Sequence, residues 1–160
     1  FLFSFYTRGM SFIDMAYLKK SDLKNGILTY RRRKTGQQLT IKWEKCMEEI
    51  VTKYAGRSVT QYLLPIITNP LADERKQYRN AIFRVNAALK EVARLVDLQI
   101  PLTMYCARHG WASIAKSKNI PLSVISEGMG HDSEETTRIY LASLDTSVVD
   151  RANSLILKDL

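Results

Sequence analysis

The sequence predicts a mainly α-helical domain with one small β-sheet or hairpin, an α+β fold. Apolar residues recur at helical spacing over most of the chain, whereas only two short runs are rich in β-branched and aromatic residues. The chain has 160 residues, of which 46% are hydrophobic. That length is enough to bury one core and too short for two ordinary domains, so we expect a single domain over residues 1–160.

The N-terminal part is predicted to form a helix, a turn and a hairpin. Helical spacing of apolar residues runs from about residue 8 to 20, and polar residues with Gly26 then break it. The two strand-like runs are residues 27 to 34 and residues 38 to 43, joined around Gly36. The lysine beside that turn is Lys34.

The rest of the chain is predicted to be helical, with one loop over residues 64 to 75 that contains Pro65 and Pro70. The helical segments are residues 43 to 54, residues 82 to 96, Leu102 to Lys118, a helix from Pro121 to Gly128 or Gly130, a helix capped by Asp132 or Ser133 that carries Tyr140, and an apolar stripe over residues 148 to 156. The first two of these segments are expected to face the core.

The balance of charge favours a polyanionic partner. Lysine and arginine number 24 against 16 acidic residues, which gives a net charge of +8 and a pI near 9.6. Nucleic acid is such a partner, although a basic surface also serves solubility alone. No apolar run approaches the roughly 18 to 20 residues of a membrane helix, and the apolar start lacks the features of a signal peptide. A membrane or secretory role is therefore not expected.

The two cysteines predict neither a disulfide nor a metal site. Cys46 and Cys106 are far apart and lie in helical segments, so we interpret both as packing residues in a reducing compartment. Cys106 and His109 have a spacing that suits one helical turn, but no second pair completes a zinc site. The chain also starts without Met inside an apolar segment, so we expect a fragment of a longer protein.

Three polar motifs follow one another in the C-terminal half. Taken singly, Arg108, His131 and Tyr140 are compatible with a surface arginine, a capping histidine and a packed tyrosine. In order, they are Tyr105-Cys-Ala-Arg108-His109, then Gly128-Met-Gly130-His131, then Tyr140 nine residues later. This series resembles the His-x-x-Arg-His, Leu-Gly-His and Tyr motifs in the catalytic domain of the tyrosine recombinases, the phage integrase family.

The N-terminal half is similar to the same family. The segment from Gly9 to Leu18, with Asp14, resembles the family pattern Gly-Leu-Arg-x-x-Glu-x-x-x-Leu, and Arg33-Lys34-Thr35-Gly36 resembles its hairpin lysine. The resemblance covers roughly residues 5 to 145. It implies the fold of the catalytic domain and the activity of a site-specific DNA recombinase.

The resemblance also implies a role for each matched residue. Tyr140 would be the nucleophile that forms a 3′-phosphotyrosyl link, which preserves the energy of the broken phosphodiester. Arg108 would hold the non-bridging oxygens of the phosphate, His131 would donate a hydrogen bond to them, and Lys34 would protonate the departing 5′-oxygen. No metal ion, nucleotide or other cofactor is expected.

Other interpretations of these residues stay open in the sequence. Lys34 follows three arginines, and such a run is also typical of a solvated strand edge or a phosphate-binding patch. Strand alternation would put Arg32 on the same face as Lys34, so Arg32 is expected to support phosphate binding. His131 is alternatively a helix cap, and Tyr140 a packed aromatic residue. His109 resembles a family histidine with a structural role.

Two positions depart from the family pattern. Ser11 stands where the family has its first arginine. On a helix, Arg8 would share a face with Ser11, so we expect Arg8 to reach the same phosphate, with Ser11 as a supporting hydrogen-bonding residue. This placement requires a helical chain before Gly9. Tyr105 replaces a histidine; its hydroxyl can bind a phosphate oxygen, but a phenol is a poorer base than histidine at neutral pH.

The expected function is that of an integrase that moves a mobile element, and double-stranded DNA is the expected partner. The alternative is a non-catalytic DNA-binding relative with a degenerate site, whereas no feature supports a type IB topoisomerase. The family's separate N-terminal DNA-binding domain is not among these residues. We expect a tetramer on DNA, a monomer or weak oligomer in its absence, and a cytoplasmic, nucleoid-associated bacterial protein. When the protein is bound to DNA, the apolar stripe over residues 148 to 156 is expected to dock on a neighbouring protomer. In the absence of DNA, it is expected to dock on its own domain.

Overall fold

A computed structural model of the protein describes residues 1–142, which form seven α-helices and one small sheet. The helices and strands, in chain order, are α1 (Leu2–Tyr6), α2 (Phe12–Tyr17), β1 (Leu23–Lys24), β2 (Ile27–Arg31), β3 (Gln38–Lys42), α3 (Lys45–Tyr54), α4 (Glu74–Leu95), α5 (Met104–Ser117), α6 (Leu122–Met129) and α7 (Glu134–Ala142). This architecture confirms the predicted mainly α-helical fold with a small sheet.

The N-terminal segment differs from the prediction of one helix over residues 8 to 20. Two short helices, α1 and α2, flank a turn in which Arg8 and Gly9 both adopt left-handed conformations, with φ of 60° and 75°. Ser11 is extended and caps α2, because its side chain accepts a hydrogen bond from the Asp14 backbone N–H at 3.3 Å. The prediction that Arg8 and Ser11 share a helical face is therefore wrong.

The sheet contains three antiparallel strands in the order β1-β2-β3. The hairpin prediction is confirmed, but β2 ends at Arg31 rather than at Lys34. Beyond it, the Arg32 N–H donates to the Gln37 carbonyl at 2.9 Å and the Gly36 N–H donates to the Arg32 carbonyl at 2.8 Å. These bonds close a loop over residues 32–37, so strand alternation does not determine where its side chains point.

Two apolar clusters, apart from a small one formed by Ala16, Tyr62 and Ile67, hold these elements together. The larger one joins α1, α2, α3, the sheet and part of α4, and the smaller one joins α5, α6 and α7. The prediction that α3 and α4 face the core holds for α3 and for the middle of α4. It fails at the end of α4, where Val92 and Val96 are 45% and 60% exposed. Helix α1 packs against α5 and so links the two clusters.

Several sequence predictions concern what the fold lacks or what lies beyond it. Both cysteines are free thiols. Within residues 1–142, no helix is long and apolar enough to cross a membrane, and no group of acidic, histidine and cysteine side chains is arranged to hold a metal ion. The predicted terminal helix over residues 148 to 156 lies outside the described residues.

Candidate active site

The structure brings together five of the residues singled out in the sequence. Arg108 lies on α5, His131 follows the end of α6, and Tyr140 lies on α7. Tyr105 is one turn before Arg108 on α5, and Arg32 reaches the same place from the β2–β3 loop. Residues that are up to about 100 positions apart in the chain therefore meet at one place, which we call the cleft.

Arg108 is the buried centre of this cleft. Its side chain is 6% exposed and donates hydrogen bonds from Nη1 to the Gly9 carbonyl at 2.9 Å and from Nη2 to the Met129 carbonyl at 2.8 Å. Nη2 also lies 3.0 Å from Nε2 of His131. The guanidinium thus connects the turn after α1 to the end of α6, and its orientation is fixed before any ligand arrives.

His131 is placed by the helix end that precedes it. Gly130 ends α6 in a left-handed conformation with φ 62°, and the His131 N–H donates to the Ser126 carbonyl at 3.0 Å. A guanidinium has no acceptor, so Nε2 of His131 must accept from Arg108, and Nδ1–H must donate to Thr137 Oγ1 at 2.7 Å. The imidazole is therefore neutral, with its proton on Nδ1. Burial and the charge of Arg108 lower the pKa of His131 to about 4.

The interpretation of His131 as a helix cap is wrong. Ser133 occupies that position, because its hydroxyl accepts a hydrogen bond from the Thr136 N–H at 3.2 Å in the first turn of α7. Thr137, which no motif in the sequence marks, is fully buried and instead fixes the imidazole. His131 is therefore held for a purpose other than capping.

The lowered pKa of His131 predicts a loss of stability in acid. The unfolded chain binds a proton at this histidine near pH 6.5, whereas the folded state resists it until about pH 4. The associated stability is therefore present above pH 6.5 and is lost as the pH falls towards 4. Urea unfolding at pH 7 and at pH 4.5 measures this effect. Between the two pH values, we expect the free energy of unfolding of the wild type to fall by up to about 2 kcal/mol more than that of His131→Gln, with solvent screening allowed for. An equal loss in both proteins would contradict the assigned neutral state.

Tyr140 is half-buried among aromatic side chains. Its ring stacks on His109, with centroids 5.1 Å apart and planes 5° apart, and it meets the rings of Tyr105 and His131 edge-on at 6.4 Å and 5.6 Å. Burial and the neighbouring Tyr105 raise the pKa of Tyr140 above its ordinary value, and the positive charge of Arg108 opposes this shift. The phenol is therefore protonated at neutral pH.

His109, which the sequence motifs suggested only as structural, is part of this aromatic group. It stacks on Tyr140 and contacts Tyr105 edge-on at 4.4 Å. Burial and the charge of Arg108 lower its pKa. The signal was present in the sequence, because His109 follows Tyr105 by four residues and so shares its helical face.

The loop after β2 directs its basic side chains differently. The side chain of Arg32 is only 7% exposed and donates a hydrogen bond to the Gly130 carbonyl. Arg33 lies over the ring of Tyr17, 3.9 Å from its centroid, and its backbone N–H donates to Asp14 Oδ1 at 2.8 Å. Lys34 is exposed at the tip of the loop, and its charge contributes to lowering the pKa of His131. Arg32 is thus inside the cleft and Lys34 is at its edge.

Ser11 and Arg8 are the two remaining residues of the predicted site. The Ser11 hydroxyl donates to Asp14 Oδ2 at 2.6 Å and is committed to the start of α2. Arg8 is half-buried and its Nη1 donates to the Thr40 carbonyl on β3 at 3.4 Å. The phosphate-binding role of Arg8 stays a prediction, without the helical geometry on which it was based.

Two buried arginines give the cleft positive charge, and neither Arg32 nor Arg108 forms an ion pair within residues 1–142. The ion pairs of the described residues join exposed side chains elsewhere on the surface. Burial lowers the pKa of Arg108, and the charge of Arg32 lowers it further, because the two guanidinium groups repel each other. Buried charges of one sign are costly unless an opposite charge compensates them. The arrangement suits an anion such as a phosphodiester beside Tyr140.

Comparison with known proteins identifies relatives of this chain. The model of the phage integrase family matches residues 4–147. The probable integrase/recombinase protein MJ0367 of Methanocaldococcus jannaschii is 31% identical over 143 residues, which cover 86% of this chain and 41% of that protein. Tyrosine recombinase XerA of Pyrococcus furiosus is 26% identical over 155 residues, 94% of this chain and 52% of that protein. The chain spans about half the length of these relatives.

Solved structures show the same fold. The crystal structure of XerA recombinase superposes with a TM-score of 0.67 at 17% identity, covering 95% of this chain and 55% of that chain. The structure of XerH recombinase bound to a palindromic difH substrate superposes with a TM-score of 0.64 at 18% identity, covering 94% of this chain and 43% of that chain. The structure of a λ integrase dimer bound to a COC′ core site superposes with a TM-score of 0.57 at 17% identity, covering 87% of this chain and 49% of that chain. The chain therefore belongs to the phage integrase family and has the fold of the tyrosine recombinases.

Proposed function

We propose that residues 1–160 form the catalytic domain of a site-specific DNA recombinase that cleaves and rejoins strands through a 3′-phosphotyrosyl intermediate. The observation that carries this proposal is the position of Tyr140 at a buried, uncompensated Arg108, with His131 within hydrogen-bond distance of the same guanidinium. A nucleophile and a preorganised anion site are the two parts that this reaction requires.

The reaction assigns one step to each side chain. Tyr140 Oη forms a bond to phosphorus and loses its proton to water, while the bond from phosphorus to the 5′-oxygen breaks. Lys34, at the edge of the cleft, gives a proton to the departing 5′-oxygen. Arg108 stabilises the negative charge on the non-bridging oxygens of the transition state. Attack by a 5′-hydroxyl on the phosphotyrosine reverses these steps and rejoins a strand.

His131 has to change its hydrogen bonds for this chemistry. In the structure, Nε2 accepts from Arg108 and therefore has no proton to give to a phosphate oxygen. A phosphodiester beside Arg108 would compensate the positive charge that contributes to the low pKa of His131. We infer that DNA binding favours protonation of Nε2 and so converts His131 into a donor to the phosphate.

Covalent trapping tests the proposed function. The full-length protein that contains this chain, mixed with nicked duplexes from a random-sequence pool, should form an adduct that resists denaturation. Tyr140→Phe should abolish the adduct, since Phe keeps the ring stack on His109 and removes only the attacking oxygen. The adduct should also form in EDTA, because arginine and histidine supply the charge stabilisation. DNA binding without an adduct in the wild type would refute catalysis.

The same experiment separates the proposed activity from its alternative. A DNA-binding relative without turnover would bind the duplex and give no adduct. The absence of a guanidinium at Ser11 and the replacement of a histidine by Tyr105 are the observations that favour this alternative. Trapping of the wild-type protein would exclude it.

We propose double-stranded DNA as the partner and a tetramer on DNA as the active assembly. The net charge of +8 and the uncompensated cleft support a DNA partner. The XerH and λ integrase structures contain DNA, and the latter is a dimer on its site. Sedimentation of the full-length protein should give a monomer or weak oligomer without DNA and four protomers per pair of duplexes when DNA is bound.

We expect the protein to act on the nucleoid in the cytoplasm. The two relatives described above are archaeal, and a bacterial host stays a prediction.

A further inference from the structure

The candidate site contains one buried arginine more than the motifs account for. The Ser11 position carries no guanidinium, and the Ser11 hydroxyl is committed to Asp14. Arg32 belongs to none of the matched positions, yet it is as buried as Arg108, at 7% against 6% exposed. A guanidinium that is removed from water without a counter-charge requires a reason in function or in structure.

The backbone of Arg32 is fixed at the base of its loop. Its N–H and carbonyl bind Gln37 and Gly36 at 2.9 Å and 2.8 Å, so the side chain leaves the sheet at a defined place. It then lies along Gly130, where an added Cβ would come within 2.8 Å of Arg32 Cδ. Gly130 therefore leaves room for the Arg32 side chain directly before His131.

The guanidinium of Arg32 has N–H donors that are available to a ligand. Among the described residues, the Gly130 carbonyl is the acceptor that it contacts, whereas an arginine has five N–H donors. Its charge lowers the pKa of both Arg108 and His131, which places it in the electrostatic field of the proposed phosphate site. By contrast, Arg8 directs Nη1 to the Thr40 carbonyl in an exposed hydrogen bond.

We propose that Arg32, delivered by the β2–β3 loop, is the second arginine that holds the scissile phosphate together with Arg108. This inference rests on the proposed function. One donor stays on the Gly130 carbonyl, and the others face the non-bridging oxygens opposite the guanidinium of Arg108. Arg32 on the loop thereby supplies the positive charge that is absent at the Ser11 position.

Single-turnover cleavage by the full-length protein tests this assignment. Arg32→Gln should slow formation of the covalent adduct about 100-fold or more, because a transition-state donor and its charge are lost. Its affinity for the duplex should fall by less than about tenfold, since Arg32 makes one phosphate contact among many. The matched control is Arg33→Gln, which removes the neighbouring arginine that lies over Tyr17 outside the cleft, and it should cleave within about threefold of wild type.

A substrate with a methylphosphonate at the scissile position distinguishes charge compensation from a structural role. The methyl group replaces one charged non-bridging oxygen, so the charge that Arg32 would offset is absent. We expect the ratio of cleavage rates, phosphodiester to methylphosphonate, to be at least about tenfold lower in Arg32→Gln than in wild type and in Arg33→Gln. Both rates come from one protein preparation, so a loss of folded protein cancels in the ratio.

Two results would overturn the inference. One is cleavage by Arg32→Gln within about threefold of wild type on the phosphodiester. The other is a rate ratio in Arg32→Gln equal to that of Arg33→Gln, which would make Arg32 a support for Gly130 and His131 only. Both results presuppose an adduct in the wild type, so they are distinct from a failure of the proposed function, in which the wild type forms none.

Discussion

Replacement of Arg108 by Ala is expected to slow DNA cleavage by at least about 10³-fold while weakening DNA binding less than about tenfold. The guanidinium stabilises charge that appears on the phosphate in the transition state, whereas binding draws on many other contacts. Arg108→Lys should recover little, because an ammonium cannot reproduce three hydrogen bonds made from two nitrogens of one planar group. Rates of adduct formation and gel-shift affinities measure the two effects.

The same substitution should also destabilise the domain. Ala at position 108 leaves the buried carbonyls of Gly9 and Met129 without this donor, which we expect to cost about 2–5 kcal/mol in urea unfolding. The cleavage rates of Arg108→Ala and wild type therefore have to be compared under conditions in which the variant is still folded. Parallel losses of cleavage and binding by a folded Arg108→Ala would contradict the assigned role.

Replacement of Gly9 by Ala is expected to produce the second large effect. Gly9 has φ 75°, and an added Cβ would lie 2.8 Å from both Cα and Cγ of Arg108. The backbone of α5 cannot give way easily, so strain from the left-handed conformation adds to overpacking. We expect a loss of about 2–4 kcal/mol in the free energy of unfolding and a marked loss of cleavage.

Gly26→Ala is the matched control for this prediction. Gly26 has nearly the same conformation, with φ 72°, but nothing lies within 4 Å of the added Cβ. Its loss of stability should be limited to about 1–2 kcal/mol, and cleavage should be unchanged. If both alanine variants unfold alike, the close approach of Gly9 to Arg108 is not what makes glycine necessary there.

The sequence predicted most elements of the fold because their signals are local. Apolar spacing defines α3 and α5, and Pro121 and Gly130 mark the two ends of α6. Helix α1 and the turn between it and α2 were missed, because the prediction began one helix at about residue 8. Arg8 is a non-glycine residue in a left-handed conformation, which depends on the packing around it. The exposed end of α4 was missed for a similar reason, because periodicity shows that a face is apolar and not what covers it.

The site was predictable as a set of residues and not as a geometry. Motif order pointed to Arg108, His131 and Tyr140, which the fold brings together. The inward direction of Arg32 depends on β2 ending at Arg31 instead of continuing to Lys34, and strand alternation cannot reveal that. The position of the proton on His131 depends on Thr137, whose contact exists only in the folded chain.

The hydrogen bond between the Arg33 N–H and Asp14 anchors the base of the β2–β3 loop, which is the part before Lys34. Asp14 also accepts a hydrogen bond from Ser11, so the base is joined to the start of α2. Arg32 lies within this base, whereas Lys34 lies beyond the anchor and is exposed. Under the proposed function, the contact to the phosphate therefore comes from an anchored part of the loop, whereas the proton comes from a side chain in contact with solvent.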